Sequence, residues 1–298
     1  MARVFAELQS AQASAERVLS MIDTEPEIQD SEEIMKIYGD QFKPRQENWP
    51  EIDGEIVFDD VTFSYKEGEM VLSNFNLQIE PGETVALVGE TGSGKSTIVN
   101  LSCRFYEPTG GSILIDGVDY RERSQLWLQS NIGYVLQSPH LFSGTIRDNI
   151  EYGKLGASEI EIINAAKLVN AHQFITKQPD GYDTKVGESG DTLSTGEKQL
   201  ISFARAVLAN PRIFVLDEAT SSIDTEMEQI IQQAIDQLLE GRTNIIIAHR
   251  LSTIRSADRI ICLRNGKIIE MGTHCQLLAQ KGYYYSLYTT QFRQEMKA

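Results

Sequence analysis

Two kinds of hydrophobic pattern share the chain. Residues 1–22 set Phe5, Leu8, Ala11, Ala15, Val18, Leu19 and Ile22 at three- and four-residue spacing, with Gln, Ser, Glu and Arg between them. That period predicts one amphipathic helix, and its single apolar stripe has to pack on something. From Asp23 to Asp53 the period fades. Pro26, Pro44, Pro50 and many carboxylates there predict a linker with one short helix around Ser31–Ile37. From Gly54 the pattern shortens to strand length. Ile56–Tyr65 alternates, and Phe75–Ile79 and Thr84–Val88 are further strand candidates. Asp116-Gly117 and Asn265-Gly266 are hairpin-turn pairs. Helical periods follow at Lys95–Phe105, Ser158–Asn170, Thr195–Leu208 and Asp224–Leu239. Continuous apolar strands occur at Ile132–Leu136, Ile213–Leu216, Asn244–Ala248 and Arg259–Leu263. Strands alternating with helices predict an α/β domain on a largely parallel sheet. The opening meander (56–88 and 112–115) predicts an antiparallel sheet added at one side.

Composition narrows the classes of function. The 298 residues are enough for one or two domains and a sizeable core without staples. The formal net charge is −16, which argues against a nucleic-acid surface and against a polybasic membrane anchor. The charge is uneven: residues 1–53 hold five basic and twelve acidic residues, hence −7. No apolar run approaches the roughly 18 residues that a membrane helix needs, and the N-terminus has no signal-peptide pattern. Three cysteines, Cys103, Cys262 and Cys275, lie far apart without a CxxC, which fits a reducing compartment.

Two segments carry chemistry on their own. Gly89-Glu-Thr-Gly92-Ser-Gly94-Lys95-Ser96-Thr97 follows a predicted strand and opens a predicted helix. This is the GxxxxGK[ST] phosphate cradle in its required context. Its glycines let backbone N–H groups point inward, and the helix N-terminus adds a favourable dipole. Lys95 is expected to reach the β- and γ-phosphates, and the Ser96 hydroxyl to ligate Mg²⁺. Ile213–Leu216 then ends in Asp217-Glu218. The carboxyl end of a parallel strand is where ligands sit in open α/β sheets. Asp217 is placed to hold Mg²⁺ and Glu218 to polarise the attacking water.

Two more segments give these residues a family context. Leu193-Ser194-Thr195-Gly196-Glu197 runs into a helix about twenty residues before Asp217, and His249 ends the strand Asn244–Ala248. With the cradle and Asp217-Glu218, they make the chain from about residue 54 resemble the nucleotide-binding domain of an ABC transporter. The resemblance implies a P-loop NTPase core with a mainly parallel sheet, an antiparallel β subdomain and an α-helical signature subdomain at about 138–206. It implies ATP and Mg²⁺ as ligands. Tyr65 would stack on adenine. Gln137 would contact Mg²⁺ and sense the membrane domain. Asp224, in Ser221-Ser222-Ile223-Asp224, would lie at a dimer interface. His249 would bond the γ-phosphate and orient Glu218 and the water. His140, His172 and His274 have no such context and are expected to be surface or structural.

The signature segment has its own physical logic. Ser194 and Glu197, three apart at a helix start, form a capping-box pattern. The resemblance implies that Ser194 and Gly196 face the γ-phosphate held by a second nucleotide-binding domain, in a head-to-tail dimer around ATP. The family pattern is LSGGQ, whereas this chain has Thr195 for the first Gly and Glu197 for Gln. The partner domain is a second copy of this chain or an unlike half, and the departures favour an unlike half, with one full and one weakened site. The helix 1–22 resembles the end of a membrane helix of an exporter, and 23–53 the acidic linker after it. Phe142–Ile150 resembles the exporter segment after the glutamine loop, and Val186–Gly190 the short exporter loop that touches the membrane domain, although Ser189 stands where the family usually has Arg. The abrupt Met1-Ala2 suggests a piece of a longer polypeptide. The expectation is an ATPase that powers export at the cytoplasmic face of the cell membrane. A regulatory nucleotide-binding module with one weakly hydrolytic site is the alternative. A soluble ATPase of DNA repair or translation would need a basic surface or long inserted coiled coils, and neither is present.

Overall fold

A computed structural model describes residues 2–66, 68–187, 193–217, 225–248 and 251–291. The N-terminal helix α1 (Ala2–Ile22) is followed by α2 (Glu32–Tyr38). Three strands come next, β1 (Ile56–Ser64), β2 (Met70–Ile79) and β3 (Thr84–Val88), then the helix α3 (Lys95–Ser102). β4 (Gly110–Ile115) and β5 (Val118–Asp119) form a hairpin, and α4 (Gln125–Asn131) leads into β6 (Ile132–Val135). A mostly helical stretch contains β7 (Gly144–Thr145), α5 (Ile146–Glu151), α6 (Glu159–Leu168), α7 (His172–Ile175), β8 (Lys185–Val186) and α8 (Thr195–Ala209). The chain then returns to the sheet with β9 (Ile213–Asp217), α9 (Thr225–Leu239), β10 (Thr243–Ile247), α10 (Leu251–Ser256) and β11 (Arg259–Arg264). β12 (Lys267–Gly272), α11 (His274–Gln280) and α12 (Tyr283–Gln291) end the described chain.

Six strands form the main sheet in the order β12-β11-β3-β10-β9-β6. The strands from β11 to β6 are parallel neighbours, and β12 runs antiparallel to β11. Alternate residues of each central strand enter different cores, as the two-residue period of a strand requires. Val85, Leu87, Val215 and Ile247 face α3 and the antiparallel sheet β2-β1-β4-β5. Ala86, Val88, Leu216 and Ile246 face the helical side, with α5, α6, α8 and α9. Burial on both faces explains why these strands are apolar without interruption. The fold is thus the expected α/β class, with an antiparallel β unit on one face and a helical unit on the other.

Local signals placed most elements. β3 has the expected bounds, and the turns at Asp116-Gly117 and Asn265-Gly266 join β4 to β5 and β11 to β12. All four turn residues have positive φ, between 50° and 74°, as a two-residue hairpin turn demands. The cradle helix is shorter than its period predicts. It ends at Ser102 because Arg104 adopts φ 53° and turns the chain away. β12 was not anticipated, because its side chains alternate between exposed and half-buried positions at the sheet edge.

Two features of the N-terminal segment go beyond what its sequence pattern gives. The apolar positions of α1 whose side chains are described are left open: Phe5 is 66% and Ile22 71% exposed. The acidic stretch read as a linker, by contrast, is docked. Ile34 and Tyr38 of α2 are buried, and Trp49 and Ile52 pack against the core on the α3 side. The buried Trp127 donates its Nε1–H to the Pro50 carbonyl at 2.9 Å. The Asp30 carboxylate accepts from Arg104 Nη1 at 3.2 Å and from the backbone N–H of Gln125 at 3.0 Å. Arg104 is 1% exposed, and Glu107 lies on its other side at 2.8 Å. A buried guanidinium needs such partners. Part of the N-terminal acidity supplies one.

Two outcomes follow from these contacts. Replacing Asp30 by Ala leaves Arg104 short of one counter-charge, and should lower stability by about 2 kcal/mol in chemical denaturation. Burial pushes the thiols of Cys103 and Cys262 up to about 12, while Cys275 is exposed. An Ellman titration of the native chain near neutral pH should therefore find one fast thiol, and the unfolded chain all three.

Candidate functional site

The site is built where the parallel strands end. Register fixes the levels: Leu87 pairs with Ile247, Ile247 with Asp217, and Leu216 with Val135. The loop after β3, the end of β10, Asp217 and the residues after Val135 therefore lie side by side at one edge. This is the carboxyl edge at which open α/β sheets bind ligands.

The cradle wraps its own lysine. Lys95 is 9% exposed and donates from Nζ to the carbonyls of Gly89 at 2.7 Å and Glu90 at 2.9 Å. Burial lowers its pKa below the ordinary lysine range, and the Asp217 carboxylate partly offsets that shift. The same carboxylate, after burial, helps to push the Tyr134 hydroxyl up to about 12. Asp217 is thus electrostatically coupled both to the cradle and to β6. Gly89 has φ 156°, and a Cβ there would collide with the Leu263 carbonyl, so a side chain is excluded. Gly92 and Gly94 also take positive φ, and Gly94 stands immediately before α3. The loop is anchored by the Gly266 N–H, which donates to the Ser93 carbonyl at 3.0 Å. The Ser93 hydroxyl is buried without a partner among the described residues. The first-turn N–H groups of α3 cannot bond within their own helix. That orphan donor set is what an oxyanion at a helix start requires.

The remaining candidate residues distribute as follows. Ser96 is exposed at the start of α3, and Gln137 is exposed two residues beyond β6. Thr97 is buried, and its Oγ1 lies 3.2 Å from the Tyr65 hydroxyl. The Tyr65 ring is 44% exposed and makes edge contacts to Phe63 at 4.8 Å and Tyr106 at 5.0 Å. Tyr106 escaped sequence reading, because nothing local distinguishes it from other aromatics. Glu218, Asp224 and His249 lie outside the described residues, as does the end of the Val186–Gly190 segment.

The signature segment folds as its capping box predicts. Ser194 N–H and O–H both donate to Glu197 Oε2 at 2.8 Å, and Glu197 N–H donates back to Ser194 Oγ at 3.3 Å. Gly196 is buried, and a Cβ there would drive into the Met227 side chain of α9. The glycine therefore sets the close approach of α8 to α9. No hydrogen bond or ion pair among the described residues joins Ser194 or Gly196 to the cradle. α8 packs instead on α5, α6, α9 and β6. The histidines outside the site are structural: His172 Nδ1 is 2.9 Å from the Tyr182 hydroxyl and His274 Nδ1 2.7 Å from that of Tyr284. His140 lies edge-on to Phe142 at 5.5 Å.

A phosphate cradle at the switch edge of a doubly covered parallel sheet defines a P-loop nucleotide-binding domain. The family model for ABC transporters matches residues 72–221, and the chain belongs to that family as an ATP-binding domain. The "ATP-dependent lipid A-core flippase" of Syntrophus aciditrophicus (strain SB) is 49% identical over 288 residues, covering 97% of this chain and 46% of the relative. The "Fatty acid ABC transporter ATP-binding/permease protein" of Mycobacterium bovis (strain ATCC BAA-935 / AF2122/97) is 47% identical over 287 residues, covering 96% and 43%. A bacterial Atm1-family ABC exporter solved with ATP bound superposes with a TM-score of 0.82 at 38% identity, covering 97% of this chain and 48% of that one. The chain spans about half the length of the curated relatives it matches. Among the described residues, no helix is long and apolar enough to cross a membrane.

The capping box can be tested directly. Ser194→Ala removes both side-chain bonds and should cost about 1 kcal/mol. The midpoint of thermal unfolding should fall by roughly 2–4 °C. An unchanged midpoint would show that the box contributes nothing.

Proposed function

We propose that the chain is the ATP-hydrolysing engine of an exporter. It binds ATP with Mg²⁺, pairs head-to-tail with a second nucleotide-binding domain, and drives transport through a transmembrane domain at the cytoplasmic face of the cell membrane. Residues 1–22 end a membrane helix of that domain, 23–53 connect it, and 54–298 form the engine. The observation that carries the reading is the buried Lys95, held by cradle carbonyls beside Asp217 at the sheet edge.

Tyr65 offers its exposed ring to the adenine. Backbone N–H groups of Gly89, Gly92, Gly94, Lys95, Ser96 and Thr97 meet the phosphates, and Lys95 turns from its own carbonyls to the β- and γ-phosphate oxygens. Ser96, Gln137 and Asp217 form an all-oxygen donor set of hydroxyl, amide and carboxylate, which suits a hard cation. Those residues would hold Mg²⁺, which supplies neutralisation of phosphate charge when bound. Glu218 takes a proton from the attacking water as the bond from the γ-phosphorus to the bridging oxygen breaks. His249 orients Glu218 and the water. Ser194, Gly196 and Asp224 act on the site held by the partner domain.

A second reading has one observation in its favour. The Glu197 carboxylate already takes the Ser194 O–H, so the signature meets an incoming phosphate with a negative charge. A pair of unlike halves, one site working and one regulatory, fits that arrangement. Phosphate release by the chain alone and with a partner separates the two.

Glu218→Gln should keep ATP binding and lower steady-state phosphate release by about 100-fold or more. Lys95→Met should lose binding itself. Normal turnover in Glu218→Gln would remove Glu218 from the role of base.

A further inference from the structure

A cavity of about 240 Å³ lies beside Tyr65. One side is aromatic, with Phe63, Tyr65 and Tyr106. Another side comes from far away in sequence: Glu27 and Ile28, five and six residues beyond the end of α1. The cavity is tied to the phosphate cradle, because the Tyr65 hydroxyl rests on Thr97 in the first turn of α3.

Residues 27 and 28 are held there by chemistry, not by chance proximity. Asp30, two residues on, accepts from Arg104 and from the Gln125 N–H. Arg104 lies just past the C-terminal end of α3 and also donates to Glu107 and to the carbonyls of Tyr120 and Arg123. Glu107 and Tyr106 line the same cavity. One buried guanidinium thus joins the far end of the cradle helix, the aromatic side of the cavity and the N-terminal segment.

We propose that Glu27 and Ile28 form a second wall of the nucleobase site, so that the segment after α1 is part of the nucleotide-binding site. This rests on the ATP-binding reading above. Stacking on one aromatic ring leaves the rest of the base open to water. Ile28 supplies apolar contact, and the Glu27 carboxylate is an acceptor for the exocyclic amine of adenine. A bound base is then seated against the stretch that leads directly from α1. Nucleotide occupancy acts on that helix by this route without passing through Gln137.

The test compares a ligand that has a base with one that lacks it. Calorimetric titration of the full chain with Mg-ATP and with Mg-tripolyphosphate is carried out for the wild type and for Glu27→Ala/Ile28→Ala. Both positions are outside the buried core, Glu27 exposed and Ile28 half-buried. The double variant should lose roughly tenfold in ATP affinity and keep its tripolyphosphate affinity. Unchanged ATP affinity overturns the wall. An equal loss for both ligands also overturns it, because the effect then falls on the cradle or the fold. A wild type that binds neither ligand overturns the nucleotide reading itself, a result distinct from the other two.

Discussion

A lysine ammonium buried at the end of a parallel sheet is the constraint on which the rest of this structure depends. Burying a charge is tolerable only with hydrogen-bond partners. Lys95 finds them in two carbonyls of its own loop, with the Asp217 carboxylate as a nearby counter-charge. For the loop to reach back in this way its backbone must take positive φ, and Gly89 must pass close to Leu263 on the neighbouring strand. For Asp217 to be near, β9 must end level with β10 and β3, which the register provides. The strands in that register are buried on both faces. Hence there are two cores, one toward α3 and the antiparallel sheet, the other toward the helical unit.

The same geometry explains how an acidic chain can hold a polyanion. The net charge of −16 is a sum over the whole chain. The phosphate site is a short-range arrangement of N–H dipoles and one ammonium, and such a site is little affected by distant solvent-screened charge. Part of the N-terminal acidity has a local purpose instead, since Asp30 neutralises the buried Arg104.

What was legible in sequence was what is set by near neighbours. The cradle, the hairpin pairs, the continuous apolar strands and the Ser194–Glu197 box all encode their geometry within a few residues, and each folds as read. Arg104, Tyr106 and the docking of residues 23–53 were not legible. Their partners lie far off along the chain: Asp30 meets Arg104 at a separation of 74 residues and Pro50 meets Trp127 at 77. A buried arginine looks like any arginine until its partners are known. The α1 stripe shows the converse. Its period was correctly seen, but the apolar positions whose side chains are described are left open.

The signature segment is where local demands and those of the proposed dimer conflict. Glutamate three residues into a helix is among the best completions of a serine cap, since it satisfies an orphan N–H and favours the helix dipole. In the proposed dimer this helix start would face another domain's phosphate, where the same carboxylate would occupy the hydroxyl proton and add like charge. An amide at position 197 would keep the acceptor geometry and remove the charge. The chain therefore carries a helix optimised for its own stability at the one place where the proposed dimer needs an open anion site. The cradle of the same chain shows no such compromise. If the proposed dimer forms, an imbalance of this kind would favour a partner that differs from this chain over a second copy of it. In such a pair, the phosphates in this cradle would be closed by the partner's signature, and the weaker site would be the one that Ser194 and Glu197 complete.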